Sequence, residues 1–212
     1  AQAFITTDLD DNQITAFHPG AMMYSHLNRV ADVEGATLGI VAPDGRDGML
    51  QHAQDLAATA VPFIFDPGQG LPMFSGDELM NFMHLANYAC FNDYEAKLLC
   101  DRTGRSLEQL AGEVEALVVT LGGAGSRIYA GGRCHEIPCV QAEAVVDPTG
   151  CGDAYRAGLL YGIAAGWGWK KIGQLAAVMG AVKIAHRGGQ NHHPSRDAIA
   201  ELFARAFAAP LW

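Results

Sequence analysis

No stretch of this 212-residue chain approaches the roughly 20 consecutive apolar residues that a membrane-spanning helix requires; its apolar runs are short and broken by Gly, His or charge. A membrane partner is therefore not expected. There is no GxxxxGK[ST] phosphate loop, which excludes a P-loop kinase. No GxGxxG fingerprint follows a first strand with an acidic residue about 20 positions on, which argues against a dinucleotide-dependent dehydrogenase. CxxC pairs are missing too. Cys90, Cys100, Cys134, Cys139 and Cys151 form an odd set that suits neither a disulfide framework nor a four-thiolate zinc site, and they read as reduced thiols of a cytoplasmic protein. Residues 1–8 lack the basic start, apolar middle and small-residue cleavage site of a secretory signal. Positive charge is scarce, with 14 Lys and Arg against 23 Asp and Glu. The net charge of -9 is spread along the chain with no basic patch, so a nucleic-acid partner is not expected and any bound phosphate is a small one, held locally.

What is present is apolar and patterned. Half of the residues are hydrophobic, enough for one large core, and a single domain over residues 1–212 is the expectation. Apolar and β-branched runs predict strands at Ala3–Thr7, Gln13–Phe17, Thr37–Val41, Pro62–Phe65, Tyr88–Phe91, Leu117–Leu121, Ser126–Ala130 and His135–Val140. Helical segments are predicted at Gly48–Thr59, Gly76–Leu85, Tyr94–Cys100, Ser106–Glu113, Gly152–Ala165, Lys170–His186 and Ser195–Ala206. Ser75, three residues before Glu78, and Ser195 are plausible N-caps. Strand and helix alternate through the middle, which predicts a mostly parallel α/β sheet, covered on both faces, with ligands beyond the carboxyl ends of its strands. Gly122 to Val140 reads as an antiparallel excursion turning at Gly122-Gly123 and Gly131-Gly132. The first two strands, joined by a turn over Asp8-Leu9-Asp10-Asp11-Asn12-Gln13, make a hairpin whose outer edge lacks a partner, so an upstream segment is expected.

One stretch concentrates chemistry. Val145-Val146 runs into Asp147-Pro148-Thr149-Gly150-Cys151-Gly152-Asp153, after which an apolar helical pattern begins at Ala154. Pro148 stops regular structure, while Gly150 and Gly152 permit torsions and close approach that side chains resist. Successive amides then point at a helix start, where unsatisfied N–H groups and the positive end of the helix dipole both favour phosphate. Asp153 in this turn suits a helix cap; it equally suits a proton acceptor for a hydroxyl attacking a phosphoryl group held in the anion hole.

The stretch Asp147–Gly158, DPTGCGDAYRAG, resembles the C-terminal signature of the PfkB, or ribokinase, family of carbohydrate and nucleoside kinases. The resemblance implies a ribokinase-like, doubly wound α/β fold and a cytoplasmic kinase that uses ATP with Mg2+. It implies that Gly150, Cys151 and Gly152 form the anion hole and that Asp153 is the catalytic base. Asn92-Asp93-Tyr94-Glu95 resembles the family's Asn-x-x-Glu motif, which places Asn92 and Glu95 near magnesium and phosphate; both also suit a helix cap and first-turn acid. Val118–Ser126 is similar to the strand and Gly turn that border the nucleotide, which assigns Thr120, Gly122, Gly123 and Gly125, with Thr149, to cofactor binding. Many members hold a monovalent cation beside the anion hole, and Asp147, Thr149 and Gly188, in His186-Arg187-Gly188-Gly189-Gln190, match that position, so K+ is a further expectation. Phe65-Asp66-Pro67-Gly68-Gln69 departs from the family's Asp-Pro-Asn-x-Arg pattern at Gly68 and Gln69, and Arg156 suits either added positive charge or a structural salt bridge. Adjacent His192 and His193 diverge in an extended loop and carry no metal reading.

Within the family, Gln13–Met22 with its Phe-His-Pro-Gly-Ala-Met segment looks like the bacterial adenosine kinase branch, although His18 also reads as an ordinary turn residue. Members usually run to about 300 residues, beyond this chain, so the N-terminal segment carrying most of the acceptor pocket and lid is expected to be missing. Three readings stay open: a nucleoside kinase, for which adenosine is the expected acceptor; a sugar kinase of ribokinase or fructokinase type; and a nucleotide-binding module without catalysis. A homodimer is compatible with each.

Overall fold

The computed structural model describes residues 1–7 and 13–212. β1 (Gln2–Thr7) and β2 (Gln13–His18) form an antiparallel ribbon with Gln2 opposite His18 and Thr7 opposite Gln13; the turn expected over Asp8 to Asn12 lies outside the described residues. Alternation along the ribbon puts Phe4 and Ile14 on one face, both exposed, and Phe17 on the other.

The main sheet has six strands in chain order: β3 (Gly39–Val41), β4 (Phe63–Phe65), β5 (Tyr88–Asn92), β6 (Ala116–Thr120), β7 (Ser126–Ala130) and β8 (Arg133–Ile137). β3 to β6 are parallel, and β7 and β8 are antiparallel additions. The parallel portion and the excursion both follow the expected pattern. β8 starts two residues before the expected His135, because the two-residue Gly131-Gly132 turn pairs Ala130 directly with Arg133.

Helices α1 (Arg46–Ala58), α2 (Gly76–Leu85), α3 (Asp93–Thr103), α4 (Leu107–Ala111), α5 (Cys151–Ala164), α6 (Trp169–Ile184) and α7 (Arg196–Phe207) match the seven predicted segments, with shifted ends. The 3-10 turns at Gly20–Leu27, Val30–Asp32 and Gly68–Met73 carry too little periodicity to be read from sequence. The Val30–Asp32 turn is held to α1 by Asp55, which accepts from Arg29 Nε at 2.8 Å, Arg29 Nη2 at 2.7 Å and the Val30 amide at 3.2 Å. The Arg29 hydrogen bonds lower the Asp55 carboxyl to about 2.

Alternating strand residues feed two cores. Phe63, Phe65, Ala89, Phe91, Leu117 and Val119 pack on α1 to α3, while Ile64, Cys90, Ala116 and Val118 face α5 and α6. Helices therefore cover both faces. In the first core Phe65 stacks on Phe82 at 4.4 Å with 6° between the rings, and Phe74 meets Phe82 edge-on at 5.0 Å. In the second, Tyr155, Leu159, Ile172 and Ala176 press α5 and α6 onto the sheet.

Phe82→Ala removes a fully buried ring from this stack, and chemical denaturation is expected to show a loss of about 3–5 kcal/mol.

Candidate active site

The carboxyl ends of β4, β5 and β6 lie side by side, with Phe65 opposite Ala89 and Asn92 opposite Thr120. Each is extended by residues that the sequence singled out. At the end of β5, Asn92 caps α3: its Oδ1 accepts from the Glu95 amide at 2.7 Å, and Glu95 Oε2 accepts from the Asn92 amide at 2.8 Å. Asn92 Nδ2 also donates to Glu95 Oε1 at 2.9 Å. Both carboxylate oxygens of Glu95 are thus engaged, and burial raises the carboxyl from its ordinary value. Thr120 ends β6, and Gly122–Ala124 follows as a 3-10 turn closed by the Leu121 amide donating to the Gly125 carbonyl at 2.8 Å. Gly125 packs on the backbone of Ile137 and Cys139.

Helix α5 is anchored to this edge of the sheet at two points, the start of β7 and the end of β4. Tyr155 Oη and Ser126 Oγ lie 2.7 Å apart in a buried contact. One residue on, Arg156 clasps Asp66 at the end of β4, donating from Nε at 2.6 Å and Nη2 at 2.7 Å. The two side chains are 12% and 6% exposed. Arg156 is therefore a structural ion pair, one of the two roles its position suggested. Burial pushes the Asp66 carboxyl up from its ordinary value; the guanidinium opposes that shift, and the bidentate geometry keeps the pair ionic.

The pair and the tyrosine contact fix the first turn of α5. Gly150 is its N-cap, at a φ of 83°, and Cys151, Gly152 and Asp153 are its first three residues. No side chain caps this helix. Asp153 is exposed and is not the cap, so the capping reading of this residue falls away. The Cys151 amide, expected in the anion hole, instead donates to the Pro148 carbonyl at 3.1 Å, because the loop closes on itself there; the other amides of an uncapped first turn are free to bind an anion. Gly150 is required here twice over, by its left-handed torsion and because a Cβ would lie 3.0 Å from Gly189 Cα. Burial raises the Cys151 thiol from its ordinary value.

Asp147 organises the loop before the helix. Its Oδ1 accepts from the Thr149 amide at 2.9 Å and its Oδ2 from the Gly188 amide at 2.7 Å, and these hydrogen bonds hold the carboxyl at about 2. The structure therefore brings Asp147, Thr149 and Gly188 together, as the sequence reading expected. Beside them, the Asp147 and His186 carbonyls accept from the Lys183 ammonium at 2.7 and 2.9 Å, so a protein cation stands next to the group expected to hold K+. Lys183 was passed over in the sequence, where it sits inside an apolar helical run. A lone lysine on the buried face of such a helix is the signal that was available, since lysine is almost never fully buried without partners.

Sequence reasoning also missed a cavity of about 470 Å³ between the ribbon and the ends of β3 and β4, lined by Phe17, Met22, Met23, Arg46, Asp47 and Gln69. Its wall includes part of the Phe-His-Pro-Gly-Ala-Met segment; His18 is exposed at the end of β2. Gln69 follows Asp66 by three residues, so the cavity wall continues into the strand end that Arg156 holds.

An anion-binding helix start at the carboxyl edge of a covered α/β sheet, with a free carboxylate in its first turn, defines the class of small-molecule phosphate-handling α/β proteins. A family model described as pfkB family carbohydrate kinase matches residues 1–196. The chain is 55% identical to the nucleoside kinase of Burkholderia thailandensis, whose structure in complex with inosine superposes with a TM-score of 0.97 over 99% of this chain and 69% of that one. It is 33% identical over 201 residues to a nucleoside kinase of Methanocaldococcus jannaschii, covering 94% of this chain. A ribokinase from Thermotoga maritima, 20% identical, shares the fold with a TM-score of 0.73 over 96% of this chain and 69% of that one. The chain spans 66% of the length of the M. jannaschii protein. It belongs to the pfkB family of carbohydrate kinases.

Asp66→Asn leaves the Arg156 charge buried without its partner, and urea unfolding is expected to show a loss of about 3–5 kcal/mol. The double variant Asp66→Leu with Arg156→Met should recover most of that loss.

Proposed function

We propose that the protein transfers the γ-phosphoryl group of ATP to a primary hydroxyl of a nucleoside. The observation that carries this reading is the uncapped first turn of α5, which presents amides and the Asp153 carboxylate at one point. Amides of Gly150 and Gly152 would take the charge that develops on the transferring group, the Cys151 amide being already spent on the Pro148 carbonyl, and they need no reorganisation because the Asp147 and Arg156 contacts already hold the turn. Asp153 would accept the proton of the attacking hydroxyl, and its exposure leaves it open to substrate.

ATP would lie along Thr120 and Gly122 to Gly125, with Thr149 near its phosphates. Magnesium, carried by the nucleotide, would supply neutralisation of the phosphate charge. Both Glu95 oxygens accept from Asn92, which fits an outer role toward that ion through water. The acceptor would enter the cavity below the ribbon, whose Phe17, Met22 and Met23 walls suit the flat apolar faces of a base. The 55% identity to a nucleoside kinase solved with inosine supports a nucleoside over a sugar, and adenosine is the acceptor to try first. The exposed outer face of the ribbon, with Phe4 and Ile14, suits a homodimer contact. Five free cysteines, and no helix among the described residues long and apolar enough to cross a membrane, accord with a cytoplasmic protein.

Phosphoryl transfer from ATP to adenosine and inosine, measured against ribose and fructose, tests the reading. Transfer to the sugars alone would reassign the acceptor, and ATP binding without any transfer would favour a non-catalytic module. Asp153→Asn is expected to keep nucleotide affinity and lower turnover by roughly 10²- to 10⁴-fold.

A further inference from the structure

Among the described residues, Lys183 is the only charged one in the set of largest fully buried side chains. It lies in the last turn of α6, where unpaired carbonyls and the negative end of the helix dipole gather, yet its own contacts reach further. The ammonium donates to the carbonyl of Asp147, three residues before Gly150, and to the carbonyl of His186, two residues before Gly188. The same two segments are joined a second time by the Asp147 carboxylate on the Gly188 amide, and a third time by the close approach of Gly150 to Gly189. A buried ammonium is costly unless paired and hydrogen-bonded, so a charge retained at this junction points to work that an apolar side chain would not do. Backbone carbonyls converging beside a carboxylate are also the surroundings in which a bare K+ exchanges its hydration shell for protein oxygens.

We propose that the Lys183 ammonium is a built-in monovalent cation, holding the Asp147 and His186 segments at the spacing that the first turn of α5 needs. The protein then has no requirement for potassium. Removing the lysine side chain creates a cavity with unpaired carbonyls, which a monovalent ion of fitting size fills. Lys183 is a positioning residue: it touches the backbone that shapes the anion hole and not the reacting atoms. The effect on rate rests on the phosphoryl-transfer reading; the effect on stability does not.

The test compares the wild-type protein, Lys183→Ala and Lys183→Met in K+, Na+ and tetramethylammonium at equal ionic strength, by melting temperature and by turnover. Wild type should be indifferent, with turnover changing by less than about twofold among the three cations. Lys183→Ala should melt lower in tetramethylammonium and be raised selectively by K+, since an ion that binds only the folded state stabilises it by mass action; its turnover should recover about tenfold or more. Lys183→Met, whose side chain fills the space, should be damaged without K+ rescue. Two results would overturn the proposal: K+ activating the wild type about tenfold or more, or a folded Lys183→Ala protein indifferent to K+. If Lys183→Ala does not fold in any cation, K+ rescue has failed and the proposal falls with it. If no variant phosphorylates anything, the kinase reading fails and the melting curves still decide this inference.

Discussion

The bidentate pair between Asp66 and Arg156 holds the candidate site together, because it joins the carboxyl edge of the sheet to the uncapped start of α5. Asp66 directly follows β4, and Arg156 lies one turn into α5. With Tyr155 on Ser126 beside it, the pair sets where the first turn of α5 stands relative to the neighbouring strand ends. Desolvation opposes both charges, and the forked geometry offsets that cost with two short hydrogen bonds. The first turn of α5 is thereby held open, with no side chain satisfying it from within.

A second clamp acts from the other side of the same turn. Asp147 and Lys183 tie the loop before α5 to the loop after α6 through one carboxylate and one ammonium, each spent on backbone groups. Among the described residues neither charge makes an ion pair with a side chain of opposite sign. The charges act on peptide dipoles, which makes this a way of shaping main chain. The first turn of α5 therefore sits between two electrostatic fixtures, one to the sheet and one to the helix behind it.

Much of this was legible in order along the chain. The GxGD loop, the capped start of α3 and the Gly turn after β6 each announce themselves by local chemistry: a proline and glycines before an apolar helix, an Asn three residues before a Glu, and glycines after a β-branched run. The cap at Asn92 and the turn at Gly131-Gly132 are short-range effects, so sequence is enough to see them. Asp66 with Arg156 are 90 residues apart, and Lys183 with Asp147 are 36 apart. No local pattern couples residues at those separations. The cavity wall, drawn from Phe17, Met22, Arg46 and Gln69, is likewise an assembly of distant pieces.

The sequence by itself determined the alternation of strand and helix, the antiparallel excursion from Gly122 onward and the phosphate-directed character of residues 147–153, because periodicity, proline and glycine act on the nearest few residues. Only the tertiary structure decided that Asp153 is not a cap, that Arg156 is spent on Asp66, and that the oxygens around Asp147 and His186 already hold a cation belonging to the chain. Those outcomes depend on which groups meet after the sheet closes and water is excluded. A buried charge takes whatever partner the packed fold brings to it, and that partner is chosen by topology.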